Sequence, residues 1–227
     1  MNTRLLSIVS LLLLVAAQPV DAQELEARAL VNTPVDMNFL IVAAGYAHGN
    51  LLLDPSLPIK DARAHLGSFV LGYQRSIGVA GLAGKVGLAV PFATGTWEGT
   101  IAGRDSSTDR TGFGDPTVKV SLNFVGSPAL TFPEFMSYKQ STVVGVSLQV
   151  GFPFGQYDQD RLVNLGSNRW TIAPRVGASQ SVGRWMFEGY LGATFYTANN
   201  ELYRNQTLTQ DPLLDIQSHV ISRAGTV

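Results

Sequence analysis

The stretch Val143–Phe154, with the sequence VVGVSLQVGFPF, decides the fold class because its residue types alternate. Even-numbered positions from Val144 to Phe154 carry valine, leucine or phenylalanine, and the odd-numbered positions between them carry glycine, serine, glutamine or proline. Successive side chains of a β-strand point to opposite faces, so the stretch predicts a strand with one apolar and one small or polar face. A water-soluble β-protein buries such an apolar face, whereas a membrane barrel turns it to lipid and keeps a polar lumen.

The amino-terminal residues indicate export. Arg4 precedes an unbroken apolar run, Leu5–Ala17, and small residues lead to a cleavage site after Ala22. We therefore predict a signal peptide at residues 1–22, followed by an N-terminal periplasmic segment at residues 23–35. The apolar run is shorter than the roughly 20 residues that cross a bilayer as a helix, and its alternative reading is a buried core helix.

The composition excludes several classes of function. The net charge is −1, from 16 basic and 17 acidic residues, so nothing draws the chain to nucleic acid. The absence of cysteine excludes a disulfide framework, a thiol nucleophile and a thiolate metal site. An exported chain without cysteine fits the envelope of a Gram-negative bacterium better than a small secreted module, which usually needs disulfides.

The alternating pattern recurs along the chain and predicts eight antiparallel strands. They are Asn38–Leu53, Arg63–Arg75, Gly84–Phe92, Thr117–Val125, Val143–Phe154, Trp170–Ala178, Trp185–Thr197 and Leu214–Ile221. The segment Trp97–Arg104 has its apolar residues on the opposite parity to Val86–Phe92. A bulge near Thr94–Thr96 or a continuation beyond the membrane explains this change, and we favour an extension of the third strand.

Two kinds of linker separate the predicted strands. Long polar linkers follow the odd-numbered strands, at Asp54–Ala62, Asp105–Asp115, Gly155–Arg169 and Ala198–Asp211. Tight turns follow two even-numbered strands, at Ser76–Ala83 and Gln180–Arg184. Outer-membrane barrels have long loops outside and short turns in the periplasm. The segment Gly126–Ser141 departs from this scheme, and Glu134–Gln140 within it predicts a short helix at the membrane interface.

The strands of a soluble β-sandwich also alternate apolar and polar residues, so other features must distinguish the two folds. Lys85, Lys119, Arg175 and Glu188 lie mid-strand on the small or polar parity, as a wet lumen requires. Aromatic residues stand at the ends of the apolar stripes, where a membrane girdle places them, at Phe92, Phe124, Phe152, Phe154, Trp170 and Trp185. We therefore predict an all-β fold, an antiparallel transmembrane β-barrel over residues 36–221, with an irregular C-terminal end at residues 222–227.

Short motifs in a particular order resemble a known family. They are Gly45–Ala47, Asp54–Pro58, Leu71–Tyr73, Gly112–Pro116, Glu134–Phe135, Ser137–Tyr138, Leu148–Val150, Phe154–Asp158 and Leu162–Trp170. From about Asp36 to His219 the chain is similar to the outer-membrane transporter family of the MetA pathway of phenol degradation. The resemblance implies a closed antiparallel barrel that passes aromatic or other small hydrophobic molecules inward. It carries over no functional residue, because none of these motifs is a ligand-contact motif.

The carboxyl end departs from the family pattern. Members of the family look longer beyond the equivalent of His219, and Arg223–Val227 does not end on an aromatic strand residue. The alternatives are an incomplete larger barrel, which we favour, and a closed eight-stranded barrel filled with side chains. Open edges in lipid leave backbone groups unsatisfied at several kcal/mol each, so an incomplete barrel folds poorly alone unless it pairs with another copy.

An enzymatic role has little support in the sequence. The histidines are His48, His65 and His219, and closure after the eighth strand would bring His48 near Asp215 or His219. The chain has no Gly-x-Ser-x-Gly elbow, so we read these histidines as lumen or girdle residues and expect no enzyme and no cofactor. Loop acids offer at most weak Ca²⁺ binding, at Asp105, Asp109 and Asp115 or at Asp158 and Asp160, and we expect no metal site.

The expected function is a passive channel for small hydrophobic or aromatic compounds in the cell outer membrane. The residues expected to line the solute path are Lys85, Lys119, Gln149, Arg175, Glu188, Tyr190 and His219. The expected partners are outer-membrane lipid and lipopolysaccharide, the solutes and the barrel-assembly machinery, but not nucleic acid. The alternative is a non-conducting barrel with a structural role, a binding role for the loops Asp105–Asp115 and Gly155–Arg169, or, least favoured, a lipid-modifying role.

Overall fold

A computed structural model describes residues 27–50, 59–101, 103–203 and 206–222. The predicted signal peptide at residues 1–22 and the last five residues of the predicted C-terminal end lie outside these ranges, as does the motif at Asp54–Pro58. The strands are β1 Asn38–Asn50, β2 Ile59–Val79, β3 Leu82–Ile101, β4 Arg104–Phe113, β5 Thr117–Val125, β6 Thr142–Gly151, β7 Thr171–Val182, β8 Trp185–Tyr196, β9 Asn199–Leu202, β10 Gln206–Leu208 and β11 Leu213–Ser222, and the helix is α1 Phe132–Ser137. No helix in these ranges is long and apolar enough to cross a membrane.

The main strands form one antiparallel sheet that curls into a half-barrel, which confirms the all-β prediction. Its order is β1-β2-β3-β5-β6-β7-β8-β11, with β4 added beside the end of β3. Within the described ranges β1 and β11 stand at opposite edges and pair with only one neighbour each. The closed eight-stranded alternative is therefore not the arrangement of this sheet.

The two faces of the sheet differ as the alternation predicts. On the convex face Leu148 and Phe187 are 44% and 47% exposed, as expected for side chains that contact acyl chains rather than a protein core. On the concave face the Arg175 side chain is only 14% exposed. The apolar side of the hairpins is therefore the outside of the wall, and the charged side faces the axis.

The third strand continues beyond the apolar zone without a bulge near Thr94–Thr96, and the register shift in its pairing with β2 comes only between Lys60 and Arg63. Its pairing with β2 runs in unbroken register from Val79 opposite Leu82 to Arg63 opposite Glu98. Outward positions become polar beyond Phe92, and the threonine hydroxyls of Thr94, Thr96 and Thr100 bond side chains of β4 at 2.7, 2.6 and 3.2 Å. Side chains that bond each other on the outer face suit water rather than lipid, so the extension predicted at Trp97–Arg104 is confirmed as far as Ile101.

The predicted loop Asp105–Asp115 is wrong, because Arg104–Phe113 is strand β4. Its sequence RDSSTDRTGF has no apolar parity, since neither face of this hairpin lies in lipid or in a core. The predicted linker Ala198–Asp211 likewise contains a small ribbon, β9 with β10. Gly155–Arg169 contains no regular strand, as predicted.

The turns at the other end are as tight as predicted. Ala80 and Gly81, between β2 and β3, both have positive φ (50° and 79°), as a two-residue hairpin turn requires. The helix is shifted from the predicted Glu134–Gln140 to Phe132–Ser137, because Thr131 caps it: the backbone N–H and the hydroxyl of Thr131 donate to Glu134 Oε2 at 2.8 and 2.7 Å. The bond from the Thr131 hydroxyl has the larger effect and the bond from its backbone N–H the smaller, and together they hold the pKa of the Glu134 carboxyl below its usual value.

Motifs that carry the family resemblance meet at the loop end of the sheet. Asp115 Oδ1 accepts a hydrogen bond from the N–H of Gly155 (2.9 Å). Asp115 Oδ2 accepts bonds from the backbone N–H and the hydroxyl of Ser167, at 2.8 and 2.5 Å. We call this contact between Gly112–Pro116 and the loop Gly155–Arg169 the loop latch. It fixes the long loop to the end of β4 and positions it over the concave side.

The latch predicts a local effect of Asp115→Ala. Loss of three hydrogen bonds to one carboxylate, each worth about 1.5–3 kcal/mol, should release the loop without unfolding the sheet. We expect trypsin to cleave after Arg161 at least about tenfold faster in refolded protein, measured by intact mass, since about 1.4 kcal/mol already gives that factor. The matched control is Asp211→Ala, whose exposed side chain lies outside the latch and away from the cleaved bond. Equal cleavage rates in the two variants would contradict the latch.

Close strand packing predicts a second effect, at Gly84. A Cβ added there would lie 2.8 Å from the backbone carbonyl oxygen of Ser121, so Gly84→Ala should destabilise the sheet by about 2 kcal/mol. A Cβ at Gly189, on the same outward face of β8, meets nothing within 4 Å. Gly189→Ala should therefore leave the urea midpoint in lipid vesicles unchanged or slightly raised. A midpoint that is equal for the two variants would refute the proposed close contact.

Candidate functional site

The residues predicted to line the path all lie on the concave face. Pairing across the sheet places Lys85 opposite Ser121, Ser121 opposite Ser147, Ser147 opposite Arg175, and Arg175 opposite Gly192, which itself lies opposite Asp215. Directly opposed residues share a face, and alternate residues on each strand share it too. The residues on this face therefore include Lys85, Lys119, Gln149, Arg175, Glu188, Tyr190 and His219. Their role along a solute path stays a prediction.

An ion pair crosses the concave face between β7 and β11. Arg175 Nη2 lies 3.1 Å from Asp215 Oδ1, and the two side chains are only 14% and 7% exposed. Gln217 Nε2 donates to the same carboxylate oxygen at 3.0 Å. Gly192 lies between the partners, where an added Cβ would overlap the Asp215 carboxylate. Sequence reasoning considered Asp215 only as a possible neighbour of His48 and did not identify it as the partner of Arg175.

Residues Arg28–Val35, which we call the N-terminal strap, lie against the concave face. Lys85 Nζ donates to the carbonyl oxygens of Ala29 and Val31 at 3.3 and 2.8 Å. The Arg28 backbone N–H donates to Glu188 Oε2 at 2.7 Å. The amide of Asn123 donates to the Leu30 carbonyl oxygen at 3.2 Å. No periodicity in the strap predicts this position, and the predicted periplasmic location of residues 23–35 stays a prediction.

Tyr190 connects the strap to the sheet. Its side chain is 3% exposed and packs with Leu30 and Val143 in the small core of the concave side. The Tyr190 ring lies over Gly177, where a Cβ would overlap it, and its centroid is 5.9 Å from that of His219. Gly177 and Tyr190 lie opposite each other on neighbouring strands. Aligning the two predicted strands as a hairpin in the sequence could have revealed this contact.

The histidine site considered from sequence is not formed. His48 stacks on His65 with ring centroids 6.1 Å apart, and His65 Nδ1 is 3.2 Å from the Tyr46 hydroxyl. Both belong to the edge formed by β1 and β2, whereas Asp215 and His219 lie on the opposite edge strand. Without closure between β1 and β11, His48 has no contact with either residue of β11.

Four of the loop acids considered for Ca²⁺ have structural partners. Asp115 forms the loop latch, and Asp158 pairs with Arg161 at 2.9 Å. Asp105 and Asp109 bond the threonines of β3. Within the residues that the structure describes, no group of three or more His, Cys, Asp or Glu side chains could hold a metal ion.

The described residues line cavities at two levels of the concave side. The first, of about 250 Å³, lies between the strap and the sheet, and its lining includes Arg28, Leu30, Lys85, Lys119, Arg175 and Tyr190. The second, of about 270 Å³, lies between the β3–β4 extension and the long loop, and its lining includes Ile59, Trp97, Ile101, Leu162, Val163 and Tyr203. We call the first cavity the charged chamber and the second cavity the apolar mouth. They lie at different levels of the same face.

Comparisons with known proteins agree with this geometry. A crystal structure of an outer membrane channel from Pseudomonas putida F1 superposes with a TM-score of 0.63 at 18% identity, covering 86% of this chain and 69% of that chain. At that identity the likeness concerns the fold. No curated protein sequence matches the chain. The family model described as "Putative MetA-pathway of phenol degradation" matches residues 60–217, and the chain therefore belongs to that family.

Proposed function

We propose that the protein is a passive channel of the cell outer membrane for small hydrophobic or aromatic compounds of the phenol type. One observation carries the proposal: the wall is apolar on its convex face and charged on its concave face, in a sheet with an outer-membrane channel fold. Membership of a family named for phenol degradation supports the solute class. The location implies export by the predicted signal peptide and contacts with lipid, lipopolysaccharide and the assembly machinery.

The apolar mouth supports a solute with an aromatic ring. Beyond Phe92 the large side chains of β3 change face, so Trp97 and Ile101 point to the concave side. Leu162 and Tyr203 complete this mouth, next to Arg110, whose Nε donates to the Val163 carbonyl oxygen at 3.0 Å. A concave, mainly apolar pocket with a few polar groups is the usual form of a small-molecule site. A solute entering from outside would meet this surface before the charged chamber.

Passage also needs a complete wall. The edges β1 and β11 expose unpaired backbone groups, which lipid does not tolerate, so we propose that further strands close the barrel in the membrane. A wider barrel than eight strands leaves room beside the strap and the Arg175–Asp215 pair. The half-barrel of the described residues then forms one side of the solute path.

The channel is tested by flux. Full-length protein refolded into vesicles with lipopolysaccharide in the outer leaflet should speed entry of para-nitrophenol, read by absorbance, and should conduct in planar bilayers. Trp97→Ala should slow para-nitrophenol entry about threefold, because stacking at the mouth is lost. Trp185→Ala, an outward aromatic at the opposite end of the wall, is the matched control and should leave entry unchanged. Neither flux nor conductance in folded protein would reject the channel and favour a structural or binding barrel.

A further inference from the structure

The concave face of the sheet is charged on one side and carries an uncharged strip on the other. The charged side lies on β5–β8 and β11 and includes Lys119, Arg175, Glu188, Asp215 and His219. The strip lies on β1–β3, at odd positions 39–47, even positions 64–72 and odd positions 87–97, as the strand pairing shows. Each of these positions is apolar or glycine except Ser68, whose hydroxyl donates to the Gly45 carbonyl oxygen at 3.4 Å.

The uncharged strip is continuous across its three strands. A Cβ added at Gly72 of β2 would lie 3.2 Å from the Cβ of Ile41 on β1, and one added at Gly95 of β3 would lie 3.2 Å from Cδ1 of Leu66 on β2. Ile41 is nevertheless 46% exposed, so the strip is not the inside of a packed core. The lumen of an outer-membrane barrel is normally polar because it holds water. An exposed apolar strip in that place favours contact with an apolar molecule over a purely structural role.

The strip joins the two cavities of the concave side. Trp97 at its outer end lines the apolar mouth, and Gly87 at its inner end lines the charged chamber. The ten residues from 87 to 97 span about 33 Å along the strand, which is about 25 Å of depth at a tilt of roughly 40°. That depth matches the height of the apolar band of such barrels. Lys85 and Ser76, which bind the strap, lie beyond the inner end.

A neutral ring compound fits this surface better than a charged one. Contact between a ring and the apolar side chains removes both from water, which is favourable in proportion to the area covered. An ionised solute would lose water on the strip without gaining a partner of opposite charge, and such a loss is costly. The small side chains of Ala43, Ala89 and Ala93 leave room for a flat ring beside the larger Ile41 and Leu66.

We propose that this strip, which we call the apolar track, binds neutral single-ring compounds and guides them from the apolar mouth to the charged chamber. The charged residues expected to line the solute path then face the solute from the other side of the lumen instead of holding it. Guidance rests on the proposed function, whereas binding to the track does not require transport.

Binding is tested by protection of single thiols, since the chain has no cysteine of its own. Ala89→Cys places a thiol in the track, and Ala173→Cys places one at a matched half-buried alanine on the concave face of β7, opposite Gln149. Full-length protein refolded into lipid vesicles is labelled with N-ethylmaleimide, read by intact mass, in the presence of benzyl alcohol, benzoate or benzylammonium. Benzyl alcohol at about twice its Kd should slow labelling of Ala89→Cys about threefold, because binding competes with labelling, and should leave Ala173→Cys unchanged. The two ions should protect neither thiol.

Several outcomes of the labelling would overturn the track. They are no protection of Ala89→Cys by benzyl alcohol, equal protection of the two thiols, and protection by the ions as strong as by the alcohol. An Ala89→Cys thiol that stays unreactive without any probe would also overturn it, because another part of the protein would then cover the strip.

Guidance is tested by a charge at the same position. Ala89→Lys should slow entry of neutral para-nitrophenol into vesicles about threefold, because its ammonium holds water on the track. Ala89→Met, whose side chain has a similar length without the charge, should slow entry less. Ala173→Lys, on the other side of the lumen, is the matched control and should leave entry unchanged, and a heat-modifiable gel band shows that each variant is folded. Equal rates in Ala89→Lys and Ala173→Lys would refute guidance and leave the channel intact, whereas protection of Ala89→Cys without any flux would reject the channel and leave the binding surface intact.

Discussion

The constraint on which this structure depends is that a wall in lipid must satisfy its backbone internally while showing only apolar side chains outside. Strand pairing satisfies the backbone, and strict alternation then sends every second residue to the axis. Val146 and Leu148 on the convex face and Ser147 and Gln149 on the concave face show this division within four consecutive positions. The chemistry of the lumen is therefore a consequence of the rule that protects the wall.

The concave face must in turn satisfy its own charges, because a buried ion without a partner is costly. Arg175 meets this requirement through Asp215, from a strand far along the chain. Lys85 meets it through carbonyl oxygens of the strap, since no acid is paired with it among the ion pairs of the described residues. The strap is thus part of the electrostatics of the lumen and not an appendage, and its removal would leave a cation on the concave face without the acceptors it now uses.

Sequence reasoning succeeded where local physics decides the structure. Alternation located the eight strands of the path β1-β2-β3-β5-β6-β7-β8-β11, and positive-φ turns fell where glycine interrupts the pattern, as at Gly81 and Gly183. It failed where neither face has to be apolar, so the polar strand β4 was predicted as a loop. It also failed for contacts between distant segments: no periodicity shows that Asp115 will bond Ser167, although both lie in motifs of the family resemblance.

The exposed edges of the sheet indicate what the strands that close the barrel must look like. Leu40 and Val42 of β1 are 73% and 61% exposed on the convex side, and Ile41 is 46% exposed on the concave side. Within the described ranges no strand pairs with the second edge of β1, and side chains on both of its faces are exposed. Since neighbours in the path are antiparallel throughout, its first and last strands, β1 and β11, run in opposite directions. Closure by antiparallel pairing therefore requires an even number of added strands, and those strands must present polar residues toward the axis, opposite the concave face, if the axis is to stay wet.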